Sequence, residues 1–217
     1  VDALDAVTRQ LSVLRQEWSI AADDPLAPSA VAAVLMPQRR QIWRVGDVHV
    51  AIRRGEHWDT HPAEKAIDRV VAHARAALLL CHLAHGDTVD SLTATDPGRA
   101  MVMPLLKAQN VLANLDGDSP LGFGVLDGRR VPRHYLEVFD LDETVTEVIL
   151  ASDGYLSPGP TLRDAEAELS TSLAADPLRI GLYASTKSAP ADANSFDDRT
   201  YVRLRLQSPP ADVEQDE

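Results

Sequence analysis

Apolar residues recur at helical spacing from the start of the chain. Leu4, Val7, Leu11, Leu14 and Trp18 stand three or four positions apart, which predicts an amphipathic helix over residues 1–20. Asp2 and Asp5 sit near its N-terminus, where negative charge suits the helix dipole. Asp23-Asp24-Pro25 and Pro28 break the pattern. Ala30 to Met36 is a short apolar run and reads as a buried strand. Gln41 to Val45 and Val48 to Arg53 read as two strand pieces around Gly46-Asp47, a pattern that predicts a hairpin. The longest predicted helix runs from Pro62 to His85, with Ile67, Val70, Val71, Ala74, Leu78 and Cys81 as its apolar face. Gly86 is its stop. A second helix, interrupted at Pro104, is expected over Arg99 to Leu115.

Strand patterns return at Phe123 to Leu126, Tyr135 to Leu141 and Val145 to Ser152. A helix follows from Leu162 to Ala174, and Asp176-Pro177 opens a shorter one through Tyr183. Thr200 to Leu206 is the last strand, its alternating arginines leaving one face polar. Residues 207–217 are Pro-rich and acidic and are expected to be a disordered tail. This order of elements predicts an α+β fold, antiparallel sheet covered by helices, in one domain over residues 1–206. The chain opens on Val1 within a helical pattern, which suggests that sequence upstream of it has been removed.

Composition narrows the function. The chain has 217 residues, 45% hydrophobic and 25% charged, enough for one sizeable core. A net charge of −12 and paired rather than clustered arginines offer no basic patch for nucleic acid. The same balance repels an anionic membrane surface, and no run of eighteen apolar residues predicts a membrane span. The single cysteine, Cys81, excludes an internal disulfide and a cysteine-cluster zinc site. It reads as a small buried hydrophobe in a reducing, cytoplasmic setting. Oligomeric state is not read from these features.

Three acidic sites stand at strand ends: Gly46-Asp47, Asp153-Gly154 and Asp197-Asp198. A carboxylate just past a buried strand is held by a rigid element. Several converging would make a hard oxygen site for magnesium or manganese. Each alone is better explained as a turn or loop acid, and only their order along the chain points to a metal site. His57 and His61 are four apart, but Pro62 disfavours a helical ligand pair. Asp116-Gly117-Asp118 lacks the later ligands of a calcium loop.

The order of these motifs resembles the protein phosphatase 2C-like, metal-dependent family. Pro28-Ser29-Ala30-Val31-Ala32-Ala33-Val34 resembles the family's serine-containing strand. Trp43-Arg44-Val45-Gly46-Asp47-Val48-His49-Val50 resembles its Val-Gly-Asp-Ser element, with Val48 where serine is usual. Ile149-Leu150-Ala151-Ser152-Asp153-Gly154-Tyr155 resembles its Leu-Ala-Ser-Asp-Gly-Leu element closely. Ser195-Phe196-Asp197-Asp198-Arg199-Thr200-Tyr201-Val202 resembles its final Asp-Asn-x-Thr element, with Asp198 in place of asparagine.

The resemblance spans about Pro28 to Leu206, and the Asp153 element is its specific part. It implies antiparallel sheets packed in a sandwich flanked by helices. It also implies phosphoserine/phosphothreonine hydrolysis, with water activated by two Mn or Mg ions and substrates among phosphorylated proteins or small phosphoesters. Asp153 and Asp197 would then be metal ligands and Asp47 a candidate for a weaker position. Gly154 would lie near the metal, with Ser152 and Asp198 supporting the ligands. Family members carry further acidic ligands and a phosphate-binding arginine on strands that precede the first helix. This chain starts at that helix, so the resemblance implies an incomplete metal box. A catalytically inactive binding or regulatory module is the alternative.

Overall fold

A computed structural model of the chain describes residues 2–21, 24, 27–190 and 194–206. The expected acidic tail lies outside the described residues. The element order begins with helix α1 (Asp2–Glu17) and continues with strands β1 (Ala32–Met36), β2 (Gln41–Val45), β3 (His49–Arg54) and β4 (His57–His61). Helices α2 (Ala66–Ala84), α3 (Val89–Thr95) and α4 (Pro97–Ala108) follow. Strands β5 (Leu136–Asp140) and β6 (Val145–Ala151), helix α5 (Leu162–Ala175) and strand β7 (Tyr201–Arg205) complete the order.

The fold is α+β with two antiparallel sheets. One sheet has the order β1-β2-β5 and the other β4-β3-β6-β7. Alternation along the strands sends one face of each sheet inward. Ile42 of the first sheet meets Val50, Ile52 and Val148 of the second in a buried cluster, with Leu35, Phe139, Leu150 and Leu204 packed against it. Two sheets joined through such a layer form a sandwich. The outer face of the second sheet carries the polar side of β7. Arg53 and Arg203 both pair with Glu147 there, which is why the last strand alternates arginine with apolar residues.

Helices seal the remaining apolar surface. Ile67 and Val71 of α2, with Val102 of α4, pack on Phe123 and Val125. Ala165 and Leu169 of α5 pack on Ala151 and Tyr155. Arg75 of α2 is fully buried. Its Nε and Nη2 reach the Asp96 carboxylate at 2.9–3.1 Å, and its Nη1 donates to the carbonyls of Leu178 and Ser185. That charged pair pins the 178–185 segment to the helices.

Several expectations are corrected. Gly46-Asp47 is not a hairpin turn, because β2 pairs with β1 and β5 while β3 pairs with β4 and β6. The segment carries the chain from one sheet to the other. Gly46 has φ +85°, and a Cβ there would lie 2.2 Å from the Val31 side chain, so only glycine fits the crossing. The true hairpin is β3–β4 across Gly55, and β4 went unread because His57, Asp59 and His61 hide its pattern. The long helix starts at Ala66, not Pro62, with Lys65 extended at its N-cap.

The short helix α3 was missed. Phe123 to Leu126 makes only isolated bridges, Ala30 with Leu126 and Ala113 with Phe123. No helix covers 176–183. Asp176 accepts from the backbone N–H groups of Ile180 and Gly181, and Arg179 takes φ +54°, so side-chain capping and a left-handed residue replace helical pairing. Cys81 is exposed, not buried. The buried face of α2 runs through Val71, Ala72, Arg75, Ala76 and Leu79, and a residue two positions past Leu79 turns outward.

Candidate functional site

Antiparallel pairing gathers the three acidic motifs. His49 pairs with Ala151, and Ala151 with Tyr201. The start of β3, the end of β6 and the start of β7 therefore share one edge of the second sheet. Asp47 precedes the first, Asp153 follows the second, and Asp197 precedes the third.

Backbone contacts set their positions. The Ser152 hydroxyl accepts from the Thr200 N–H at 2.9 Å, and the Ser152 N–H donates to the Thr200 carbonyl at 3.0 Å. Those two bonds hold the Asp197 loop beside Asp153. A Cβ on Gly154 would lie 2.2 Å from the Asp198 carbonyl oxygen, so glycine is what lets the two motifs touch. Asp198 is exposed, and its N–H donates to the Asp197 Oδ1 at 2.9 Å. His49 is buried between two backbone groups. Its Nδ1 accepts from the Ala63 N–H, and its Nε2–H donates to the Tyr155 carbonyl. Burial lowers its pKa against the pull of that carbonyl. His49 is thus a neutral spacer between the first two motifs.

The carboxylates do not stand free. Lys65 reaches Asp47 Oδ2 at 2.8 Å and Asp68 Oδ2 at 3.8 Å. The Asp47 side chain is 5% exposed and that of Lys65 19%. Burial draws the Lys65 pKa down, but Asp47, then Asp68 and Asp153, outweigh it, and it stays above its usual value. Lys187 holds Asp197 Oδ1 at 2.8 Å. Asp153 opens to cleft water but is crowded by protein. Burial first, then the charges of Asp47, Asp197 and Asp68 against that of Lys65, push its pKa up to about 6.

These residues line a cleft of about 880 Å³. Its carboxylates are Asp47, Glu64, Asp68, Asp153 and Asp197. Its fixed cations are Lys65, Arg69, Arg99, Lys107, Arg179 and Lys187. The chain has only three lysines, at 65, 107 and 187, and all three line this one cleft. A protein of net charge −12 therefore has a cleft with six cations against five anions.

Among the described residues, no three His, Cys, Asp or Glu side chains come together as a metal-holding group. An ammonium group lies on one carboxylate oxygen of Asp47 and on one of Asp197, where a cation would otherwise sit. The arrangement present does not fit a metal pair. Sequence reasoning missed Lys65, Asp68, Lys187 and Arg179. The scarcity of lysine was the one signal that could have marked the first and third.

No protein-family profile matches the chain, and no curated protein matches it. Among solved structures, the chain is similar to a bacterial serine phosphatase at 13% identity and a TM-score of 0.40, covering 96% of this chain and 68% of that one. It is similar to a C. elegans sex-determining protein at 13% identity and a TM-score of 0.40, covering 94% of this chain and 45% of that one. At this identity the likeness is one of fold alone. Among the described residues, no helix is long and apolar enough to cross a membrane.

Proposed function

We propose that this chain is a non-catalytic binding module with a phosphatase 2C-like arrangement of motifs. Lysine ammonium groups take the place of metal ions among its strand-end carboxylates. The observation that carries this reading is the Lys65 contact, at 2.8 Å from a nearly buried Asp47. A tethered cation in a site of low dielectric neutralises the carboxylate without solvent exchange. It also removes the open coordination position that a metal would need to activate water. The second pair, Lys187 with Asp197, supports the same reading at the other side of the cleft.

Calorimetric titration of Mn²⁺, paired with an aryl-phosphate turnover assay, tests the proposal. The expected outcome is no stoichiometric Mn²⁺ binding and no turnover above an Asp153→Asn variant. Mn²⁺-stimulated turnover that disappears in Asp153→Asn would overturn the proposal and favour a metal-dependent phosphatase.

A further inference from the structure

Arg179 is 3% exposed, lines the cleft, and has no carboxylate within ion-pair distance among the described residues. Its Nη1 donates to the Ser172 hydroxyl at 3.0 Å. Its Nε is sealed from water and has no hydrogen-bond partner. Its guanidinium lies 4.2 Å from the Phe196 ring centroid and 5.9 Å from that of Tyr183. Burial lowers its pKa. Asp176 opposes that shift, and the Arg75 charge adds to it. Asp176 is committed elsewhere, to the N–H groups of Ile180 and Gly181. Arg75 is balanced by Asp96. So of two neighbouring buried arginines, one is paired and one is not.

A buried charge without a partner is costly to keep. The fold also holds Arg179 in a left-handed backbone conformation, φ +54°, which is strained for a residue with a side chain. The loop that does this is closed by the Ser185 N–H on the Arg179 carbonyl at 3.0 Å. The same loop receives Arg99, whose Nη1 donates to both the carbonyl and the hydroxyl of Thr186 at 3.0 Å. Arg99 lines the same cleft and likewise has no carboxylate partner among the described residues. Among the described residues, two guanidinium groups tied to one loop have no carboxylate within ion-pair distance.

We propose that Arg179, with Arg99, forms an oxyanion subsite in the cleft, which takes a phosphoryl or carboxylate group of the bound ligand. Guanidinium groups suit such oxyanions because their N–H donors match two oxygens at once. The Phe196 ring, 4.2 Å from the Arg179 guanidinium, holds that side chain in place in advance, so little side-chain freedom is lost on binding. The subsite deepens the binding-module reading and rests on it only in sharing its cleft. It stands whether or not Mn²⁺ binds at the carboxylates.

The test uses the whole chain and two probes, inorganic phosphate and acetate, at constant ionic strength. Arginine Nε–Hε resonances are followed by NMR in the wild type, Arg179→Met and Arg179→Lys. A saturable shift of the Arg179 resonance with phosphate, not acetate, supports a phosphoryl subsite, and the reverse supports a carboxylate one. Arg179→Met is expected to abolish saturation at the Arg99 resonance, and Arg179→Lys to weaken it at least tenfold. Phosphate should raise the melting temperature of the wild type but leave that of Arg179→Met unmoved. Saturation by neither anion in the wild type overturns the proposal, and this arm needs no variant to fold. Equal thermal shifts in wild type and Arg179→Met also overturn it, because they would mark a general salt effect.

Discussion

Replacing Lys65 by Met keeps most of the side-chain stem and removes only the ammonium. Asp47 would then be left 5% exposed with its main counter-charge gone. Two unit charges at 2.8 Å attract by about 6 kcal/mol at an effective dielectric near 20. Desolvation of both groups offsets part of that, and breaking a buried pair by removing one partner typically costs about 3–5 kcal/mol. Because Lys65 retains 19% exposure, the lower end applies, about 3 kcal/mol. The ammonium also lies 5.5 Å from the Phe123 ring centroid, a contact worth under about 1 kcal/mol in a partly wet site. For a chain of this size, 3 kcal/mol corresponds to a melting-temperature drop of about 6–12 °C.

Urea unfolding followed by circular dichroism measures the loss. Lys187→Met is the control, because that pair is 36% and 38% exposed and is expected to cost at most about 1 kcal/mol. The double variant Asp47→Asn with Lys65→Met should recover much of the loss, since it removes the stranded charge. A Lys65→Met cost below about 1 kcal/mol, or equal to that of Lys187→Met, would refute the claim that a tethered ammonium holds this site together.

Asp153 binds its proton more tightly folded than unfolded, with a pKa of about 6 against the ordinary 3.8. Its contribution to stability is therefore complete below about pH 4 and is lost as pH rises through 6. Asp153→Asn should gain stability relative to wild type across that window, read from urea midpoints at successive pH values. A difference between the two that does not vary from pH 4 to 7 would contradict the crowding of Asp153 in the cleft. Gly154→Ala drives a Cβ into the Asp198 carbonyl. It should cost about 1–3 kcal/mol, again by urea midpoint, and a neutral result would show that the Asp197 loop is not seated on Gly154.

Periodicity made most of the elements legible. Strand β6, helix α5 and strand β7 were read within a residue or two, because their apolar positions repeat at two or at three to four and tertiary packing agrees with that pattern. The short connections were less legible. Gly46-Asp47 carries every local mark of a hairpin turn, yet it links two sheets, and that choice depends on which distant strands compete for β2 and β3. The 176–183 segment has helix-like composition, but a side-chain cap and a left-handed Arg179 override it.

The chain by itself determined the α+β class, the acidic balance and the three strand-end acids. It could do so because alternation, glycine and charge act locally. Tertiary structure alone decided that Asp47, Asp153 and Asp197 share one sheet edge, and that Lys65 and Lys187 stand among them. It also decided that Arg179 is buried with no acid in ion-pair contact among the described residues. Those facts depend on pairing between segments up to about 100 residues apart, and no window of sequence contains the distances that fix which charges meet.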